Sequence, residues 1–388
     1  MTSTMAIQDF GLWKRFAQQR KPVGFDIELT ARCNFDCRHC YINRPSDDAV
    51  ARATELTREE ILDIARQAAA LGAVWCTLTG GEPLLRPDFA EIYLGLKRLG
   101  LLVSVLTNAA LVGTAHVTLF QKYPPRDIEV TMYGASAETY ERVTRRLGSF
   151  VAFNAGLERL LSANIKVRLK AMALRSNRHE LKAIARFCRA RTKDYYRFDP
   201  VLHLRMDRNP LRNAEILAER LSPAEVVALE SADPERVGAL RKHCDHFIQP
   251  VRETLSYDRC RTCEEREGCE RYAQFSRLLS CGAGTTGFSV SWDGQLRLCQ
   301  SLNAPGTTYD LRRGSLREAW EEFIPQVRAL RTQAEPLLRA CKSCPIVNLC
   351  LNCPAHAWLE LGDREGIVPY FCQVARARKE SLLSCPTT

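Results

Sequence analysis

No stretch of this sequence is apolar over the roughly 18 residues that a membrane-spanning helix needs, which argues against a membrane-embedded chain. The first ten residues, Met-Thr-Ser-Thr-Met-Ala-Ile-Gln-Asp-Phe, have neither the basic start nor the apolar block of a secretory signal. No basic patch interleaves with aromatic residues, so nucleic acid is not an expected partner despite a formal net charge of +10. That charge comes from arginine spread along the chain, mostly solvated surface, with at most a weak bias toward an anionic partner such as an acidic peptide or a nucleotide. There is no internal repeat of solenoid period and no low-complexity tract. A cytoplasmic globular protein is the expectation that these absences leave.

Cysteine, by contrast, is abundant: 17 in 388 residues, 12 of them after residue 243 and most of those in short-spaced groups. In a cytosolic chain such grouping points to metal rather than to disulfides. The length suits a large α/β unit carrying a smaller module, and 46% hydrophobic residues provide for a sizeable core.

From residue 23 short apolar runs alternate with amphipathic stretches. Residues 23–29, 73–78, 101–106, 127–132, 165–170 and 195–199 read as strands. Thr57 and Glu60 form a capping-box pattern ahead of Ile61, Ile64, Ala65, Ala68 and Leu71 at helical spacing. Further helices are expected after Pro87-Asp88, near 151–163 and over 178–190. Strands separated by helices imply repeated βαβ units and a parallel sheet. Six units make a partial (β/α)6 TIM-like barrel, an α/β fold with its ligands at the carboxyl ends of the strands. Residues 211–275 read as a mostly helical bridge. Beyond 281 the strands are short, with a turn at Trp292-Asp-Gly294.

The first expected strand runs into Thr30-Ala-Arg-Cys-Asn-Phe-Asp-Cys-Arg-His-Cys-Tyr41. Cys33, Cys37 and Cys40 can turn three thiolates to one centre and leave a four-iron cluster one ligand short, with an iron open to a small molecule. A zinc knuckle is the alternative, although zinc sites usually pair Cys-x2-Cys units and close with a fourth ligand nearby. One βα unit later comes Thr79-Gly-Gly-Glu-Pro83. It reads either as a plain strand-to-helix turn or as a loop whose glycines admit a ligand to the backbone and whose glutamate meets a cation. The Cys-x3-Cys-x2-Cys run with the ring of His39 before its last cysteine, followed by Gly-Gly-Glu, resembles the signature of the radical S-adenosylmethionine (radical SAM) enzymes.

That resemblance implies that Cys33, Cys37 and Cys40 carry a 4Fe–4S cluster and are the catalytic cysteines. It implies that Thr79, Gly80, Gly81, Glu82 and Pro83 hold the methionine amino group of S-adenosyl-L-methionine, and that Tyr41, Thr107, Asn108 and Thr131 lie in the cofactor site. An arginine among Arg142, Arg145 and Arg146 pairs with the cofactor carboxylate on this reading, with Arg145 taken as the candidate.

A second constellation is C-terminal. Cys281-Gly-Ala-Gly284 is followed by Asp293-Gly-Gln-Leu-Arg-Leu-Cys299, then by Cys341, Cys344, Cys350, Cys353 and, after a gap, Cys372. This pattern resembles the SPASM extension of radical SAM enzymes, which holds two auxiliary four-iron clusters. The resemblance assigns Cys341, Cys344, Cys350 and Cys372 to one cluster and Cys281, Cys299 and Cys353 to the other. Two departures stand out. Two residues, not the usual three, separate Cys350 from Cys353, and Gly287 lies where a further cysteine is often found. Upstream, Cys260, Cys263 and Cys269 repeat the spacing of Cys341, Cys344 and Cys350. They can donate the missing ligand, hold a further cluster with Cys244, or form a zinc or reduced-thiol loop; the first auxiliary cluster can also keep an open iron for substrate. Cys76 in a strand and Cys188 in a helix read as inert buried thiols, and Cys385 as part of a frayed tail. Asp199, His203, Arg205 and Asp207 follow the sixth strand, where a salt-bridged loop and a substrate-facing loop are both open readings.

The expected division is an N-terminal segment 1–22, a radical SAM partial barrel 23–210, a helical bridge with an extra cysteine loop 211–280, and a small cysteine-rich SPASM domain 281–388. As a member of this family the chain is expected to be an oxidoreductase. It would use one electron from a reductant such as flavodoxin or ferredoxin to form a 5′-deoxyadenosyl radical, which abstracts hydrogen from a substrate. Auxiliary clusters suit a reaction that ends with electron removal. The first expectation for the substrate is a peptide, crosslinked or oxidised as in ribosomal peptide maturation. Oxidation of a small molecule or maturation of a sulfatase-type protein is the alternative, and a non-catalytic iron–sulfur electron carrier leaves the Gly-Gly-Glu loop unexplained. Only 32 residues precede Cys33, so a leader-binding function is expected on a separate protein or not at all.

Overall fold

The computed structural model describes residues 12–193, 196–238, 240 and 275–384. Six strands alternate with helices: β1 (Gly24–Glu28), β2 (Trp75–Thr79), β3 (Leu102–Thr107), β4 (Asp127–Met132), β5 (Val167–Met172) and β6 (Arg197–Asp199). They pair in parallel and in chain order. Parallel neighbours need a crossover, and helices supply each one. These are α1 (Arg58–Leu71), α2 (Phe89–Arg98), α3 (Thr114–Lys122), α4 (Ala137–Thr144) with α5 (Ser149–Ser162), and α6 (Leu181–Arg191). The six strand–helix units are the expected partial barrel.

The capping box of α1 forms as its pattern predicts. Glu60 N–H donates to Thr57 Oγ1 at 3.2 Å and Thr57 N–H to Glu60 Oε2 at 2.7 Å, while Ile61, Ile64, Ala65, Ala68 and Leu71 are buried. β2 and β5 start two residues later than the apolar runs suggest, because the first residues of those runs close the preceding helix. Ala73 N–H bonds the Ala68 carbonyl at 2.9 Å and Ile165 N–H the Leu160 carbonyl at 3.1 Å. The helix expected from 178 opens instead as a 3-10 turn, Arg178–Glu180. The helices α3 and α4 carry too short an apolar pattern to be anticipated.

The C-terminal region extends the same sheet. β7 (Gly287–Val290) pairs in parallel with β1 on the edge away from β2, and β8 (Gln295–Arg297) and β9 (Thr308–Asp310) follow antiparallel. An open barrel leaves the outer edge of β1 with unpaired backbone groups, and β7 satisfies them. The apolar core is continuous across the junction: Phe25 stacks on Phe288 at 5.3 Å, and Trp320 and Ile324 join the cluster that contains Ile27 and Ile61. In the expected bridge, α7 (Pro210–Glu219) and α8 (Pro223–Ser231) lead back across the molecule. The last helices are α9 (Pro354–Leu361) and α10 (Pro369–Ser384). α10 is pinned to α8 by Arg378, whose Nε and Nη2 each lie 2.8 Å from the buried Glu230 carboxylate. Cys244, Cys260, Cys263, Cys269 and Cys385 lie outside the described residues. Among the described residues no helix is long and apolar enough to cross a membrane.

Candidate metal centres and active site

The loop leaving β1 at the carboxyl edge of the sheet carries Cys33, Cys37 and Cys40. Arg32 within it is buried and makes a two-point pair with Glu55, at 2.7 and 3.0 Å, and donates to the Ser46 carbonyl at 3.0 Å. Asp36 accepts from Arg212 Nη2 at 2.7 Å, from Asn43 Nδ2 at 2.9 Å and from Arg145 Nη1 at 3.4 Å. Arg212 also donates to the Cys37 carbonyl at 3.3 Å. Arg205, only 4% exposed, donates to Asn43 Oδ1 at 2.8 Å and to the Cys40 carbonyl at 3.4 Å while its fork grips Asp207 at 2.9 and 2.8 Å. The loop after β6 and the start of α7 thus clamp the cysteine loop. Of the two open readings for Arg205 and Asp207, the salt-bridged loop is the one observed.

Every cysteine among the described residues is a free thiol. Phe35 N–H lies 3.4 Å from Cys33 Sγ, Asn108 Nδ2 lies 3.8 Å from it, and the backbone N–H groups of Ile42 and Asn43 reach Cys40. Burial pushes all three thiols up, and at Cys37 the neighbouring Cys33 and Cys40 add to the effect. Such thiols are stable as thiolates only beside positive charge, which bound iron provides. Among the described residues no three His, Cys, Asp or Glu side chains converge as ligands of a single ion would. A cuboidal cluster asks for a wider set, because each thiolate takes a different iron. Three free thiols with N–H groups aimed at sulfur fit that donor set. His39, packed on Tyr133 at 5.1 Å, is held neutral by burial, its pKa lowered to about 4.

The Gly-Gly-Glu turn packs directly against the cysteine loop. Gly80 has φ +134, and a Cβ there would stand 2.3 Å from the Thr30 carbonyl oxygen; on Gly81 it would stand 2.2 Å from that of Arg32. The close approach is therefore to the cysteine loop itself. Gly81 N–H bonds the Thr30 carbonyl at 2.7 Å and Glu82 N–H the Arg32 carbonyl at 2.9 Å. The Glu82 carboxylate is fully buried. It accepts from Leu84 N–H at 3.0 Å, Thr107 Oγ1 at 2.8 Å and Asn108 N–H at 2.8 Å, which leaves about one of its four lone-pair sites for a ligand. Burial raises its pKa to about 7 against those bonds.

Thr79 ends β2, accepting from Leu29 N–H at 2.8 Å, and Pro83 opens a 3-10 turn. Asn108 Nδ2 also donates to Asn34 at 2.8 Å. Thr131 is half-buried beside Lys170 in the sheet. The Arg145 guanidinium is taken up by Asp36 and, at 2.6 Å, by Glu215; Arg142 pairs with Glu138, and Arg146 is exposed. Tyr41 turns its hydroxyl to Gln300, at 2.5 Å.

Side chains alternate across a strand, so the residues between the buried apolar ones face the barrel interior. Asp26, Glu28, Thr77, Glu129, Thr131 and Lys170 occupy that face. Burial pushes the Asp26 and Glu28 carboxyls up, while Lys170 pairs with Glu129.

In the C-terminal region, Cys341, Cys344, Cys350 and Cys372 line one cavity of about 170 Å³. Asn352 N–H lies 3.4 Å from Cys350 Sγ. These are the four thiols that the resemblance grouped, and their donor set fits a four-iron cluster. Cys299 lies within electrostatic reach of both Cys353 and Cys281. Cys353 stands at the N-cap position of α9; burial would raise its thiol, but the neighbouring His356 ring brings it below the usual value. His356 Nδ1 lies 2.6 Å from the Leu351 carbonyl, and its ring stacks on His203 at 4.3 Å. Cys76 and Cys188 are buried within β2 and α6. Sequence reasoning did not find Arg212, Gln300 or His356. The last carried a readable signal, three residues after a cysteine.

The sequence matches the Radical SAM superfamily over residues 27–188 and the SPASM iron–sulfur cluster-binding domain over residues 281–345. It is 26% identical over 349 residues to the AdoMet-dependent heme synthase of Methanosarcina barkeri, covering 88% of this chain and 94% of that protein. In fold it is similar to Streptococcus suis SuiB bound to precursor peptide SuiA, with TM-score 0.61, 14% identity, and coverage of 94% of this chain and 80% of that one. It is likewise similar to anSMEcpe with bound AdoMet, with TM-score 0.61, 14% identity and 93% coverage of each chain. The protein belongs to the radical SAM superfamily of enzymes and carries a C-terminal SPASM domain.

Proposed function

We propose that this enzyme oxidises a peptide substrate, held over the barrel mouth, by hydrogen-atom abstraction. The observation that carries the reading is the polar interior beneath the cysteine loop, where Asp26, Glu28, Glu129 and Lys170 share one face. A polar peptide finds hydrogen-bond partners there, whereas an apolar macrocycle is usually held by apolar and aromatic walls. When bound, three 4Fe–4S clusters and S-adenosyl-L-methionine would supply the hard chemistry, a 5′-deoxyadenosyl radical and a sink for the electron left on the substrate. The chain's own part is to hold and shield these groups. Cys33, Cys37 and Cys40 provide three ligands on a loop braced by Arg32, Arg205 and Arg212. The contact of Tyr41 with Gln300 sets Cys40 and Cys299 each one residue from a shared hydrogen bond. Thr107 and Asn108 fix Glu82 at the edge where the cofactor amino group would lie. A flavodoxin- or ferredoxin-type reductant, and a separate leader-binding protein where the peptide has a leader, complete the proposal.

The heme synthase match over nearly the whole of both chains favours a second reading, oxidation of a small molecule of the heme type. Anaerobic purification with iron and sulfide counting, then reduction with S-adenosylmethionine and a peptide encoded beside the gene, separates them. About twelve irons, 5′-deoxyadenosine and a peptide lighter by two hydrogens are expected. An unchanged peptide alongside a consumed heme precursor would establish the second reading. About four irons would remove the auxiliary clusters from the account.

A further inference from the structure

Two residues separate Cys350 from Cys353, and the second of them, Asn352, is a polar side chain on the wall of the cavity lined by Cys341, Cys344, Cys350 and Cys372. Backbone groups fix its orientation. Val368 N–H donates to Asn352 Oδ1 at 2.9 Å, and a backbone N–H can only donate, so the carbonyl end of the amide faces Val368. The amino end has two hydrogens to place. Nδ2 donates to the Gly366 carbonyl at 3.4 Å and to Cys341 Sγ at 4.0 Å. The Asn352 backbone N–H reaches a second thiol, Cys350 Sγ, at 3.4 Å. We propose that Asn352 tunes the second auxiliary cluster, raising its reduction potential through N–H···S hydrogen bonds to two of the four ligands.

Reduction adds a negative charge to a cluster, and a hydrogen bond to a ligating sulfur offsets part of it, so each such bond favours the reduced form. A raised potential suits a cluster that takes up an electron. Asparagine fits the position because it donates and accepts at once on a short stem. Its carbonyl and amino ends hold Val368 and Gly366, which lead into α10, and the first turn of α10 carries Cys372. One side chain thus joins the segments that supply Cys341, Cys350 and Cys372. Asn352 is a positioning residue: it acts on the sulfur ligands and not on a reacting atom.

The inference rests on a cluster at these four thiols and not on the identity of the substrate. The test uses the full chain with Cys33, Cys37 and Cys40 replaced by Ala, so that the N-terminal cluster is silent, reconstituted anaerobically with iron and sulfide. Redox titration followed by paramagnetic resonance reads the auxiliary potentials. Asn352→Asp keeps the shape and the acceptor for Val368 but loses the donor to sulfur. Its iron content should be unchanged, with one auxiliary potential more negative and the other unmoved. Asn352→Ala should shift the same potential in the same direction by less, since it loses the bond without adding a charge. An unchanged or less negative potential in every variant that keeps its iron would overturn the proposal, and so would an equal shift of both auxiliary clusters. Loss of this cluster's iron in both variants would make Asn352 a structural latch alone and overturn it too. Iron fully retained when Cys341, Cys344, Cys350 and Cys372 become Ser would show that the cluster is absent, and the inference would fall with it; the mass change of the peptide in the unaltered enzyme reports on the substrate separately.

Discussion

The phenol oxygen of Tyr41 accepts a hydrogen bond from the Gln300 side-chain amide at 2.5 Å. Tyr41 follows Cys40 and Gln300 follows Cys299, so a single bond ties the N-terminal cysteine loop to the C-terminal segment that carries Cys299. The two residues meet because β7 lies against β1. Tyr41→Phe keeps the ring and removes the acceptor, at a cost of about 1–3 kcal/mol for the donor left unpaired. A lower Tm by circular dichroism, an unchanged iron count and more 5′-deoxyadenosine per product are expected. An unchanged melt and an unchanged ratio would show that the contact does nothing.

Arg205 is the buried brace of the cysteine loop, pairing with Asp207 and bonding Asn43 and the Cys40 carbonyl. Removing one partner of such a pair costs about 3 kcal/mol, because hydrogen-bonded groups are left unmatched. Arg205→Ala should lower Tm and shed iron from the N-terminal cluster before the others. Arg205→Lys should recover the charge but not the two-point grip, and hold an intermediate amount of iron. Iron retained equally by all three proteins would refute the bracing role.

At Gly81 a methyl group has nowhere to go, since its carbon would sit 2.2 Å from one backbone oxygen and 2.6 Å from another. Backbone cannot rotate aside as a side chain can. Gly81→Ala should cost about 1–3 kcal/mol in forced displacement. The same variant should impair cluster loading, because the bond from Gly81 to Thr30 holds the start of the cysteine loop. Thermal melts of the iron-free and reconstituted protein give both readings.

Glu82 makes stability depend on pH. Its carboxyl titrates at about 7 in the folded chain against an ordinary 4.5, since burial outweighs its three hydrogen bonds. The folded state therefore binds the proton more tightly than the unfolded state. This stabilisation is complete below pH 4.5 and declines as pH rises through about 7, by no more than about 3 kcal/mol. Glu82→Gln, which cannot ionise, should flatten the slope. Urea midpoints of the iron-free protein at about pH 5 and about pH 8 measure it, and equal slopes in both proteins would contradict the assignment.

The chemistry of this protein was legible in local spacing. Cys33, Cys37 and Cys40 lie within one loop, Gly80 to Glu82 within one turn, and Cys341, Cys344 and Cys350 within one short segment, so their proximity follows from chain connectivity. The alternating apolar runs likewise announced the parallel barrel, because the period of a strand or a helix is itself local. Other relationships required the fold. Arg205 reaches Asn43 across 162 residues, Arg212 reaches Asp36 across 176, and Gln300 reaches Tyr41 across 259. Periodicity assigns no partner to a side chain at such distances. The glycines of the Gly-Gly-Glu turn make the same point: their presence was visible, but only packing showed that they admit the backbone of the cysteine loop. The donor types were thus written in the sequence by itself. Which carbonyl, carboxylate or ring holds each one in place was decided by the tertiary structure, because those partners come together only once β1, β6, β7 and α9 have packed.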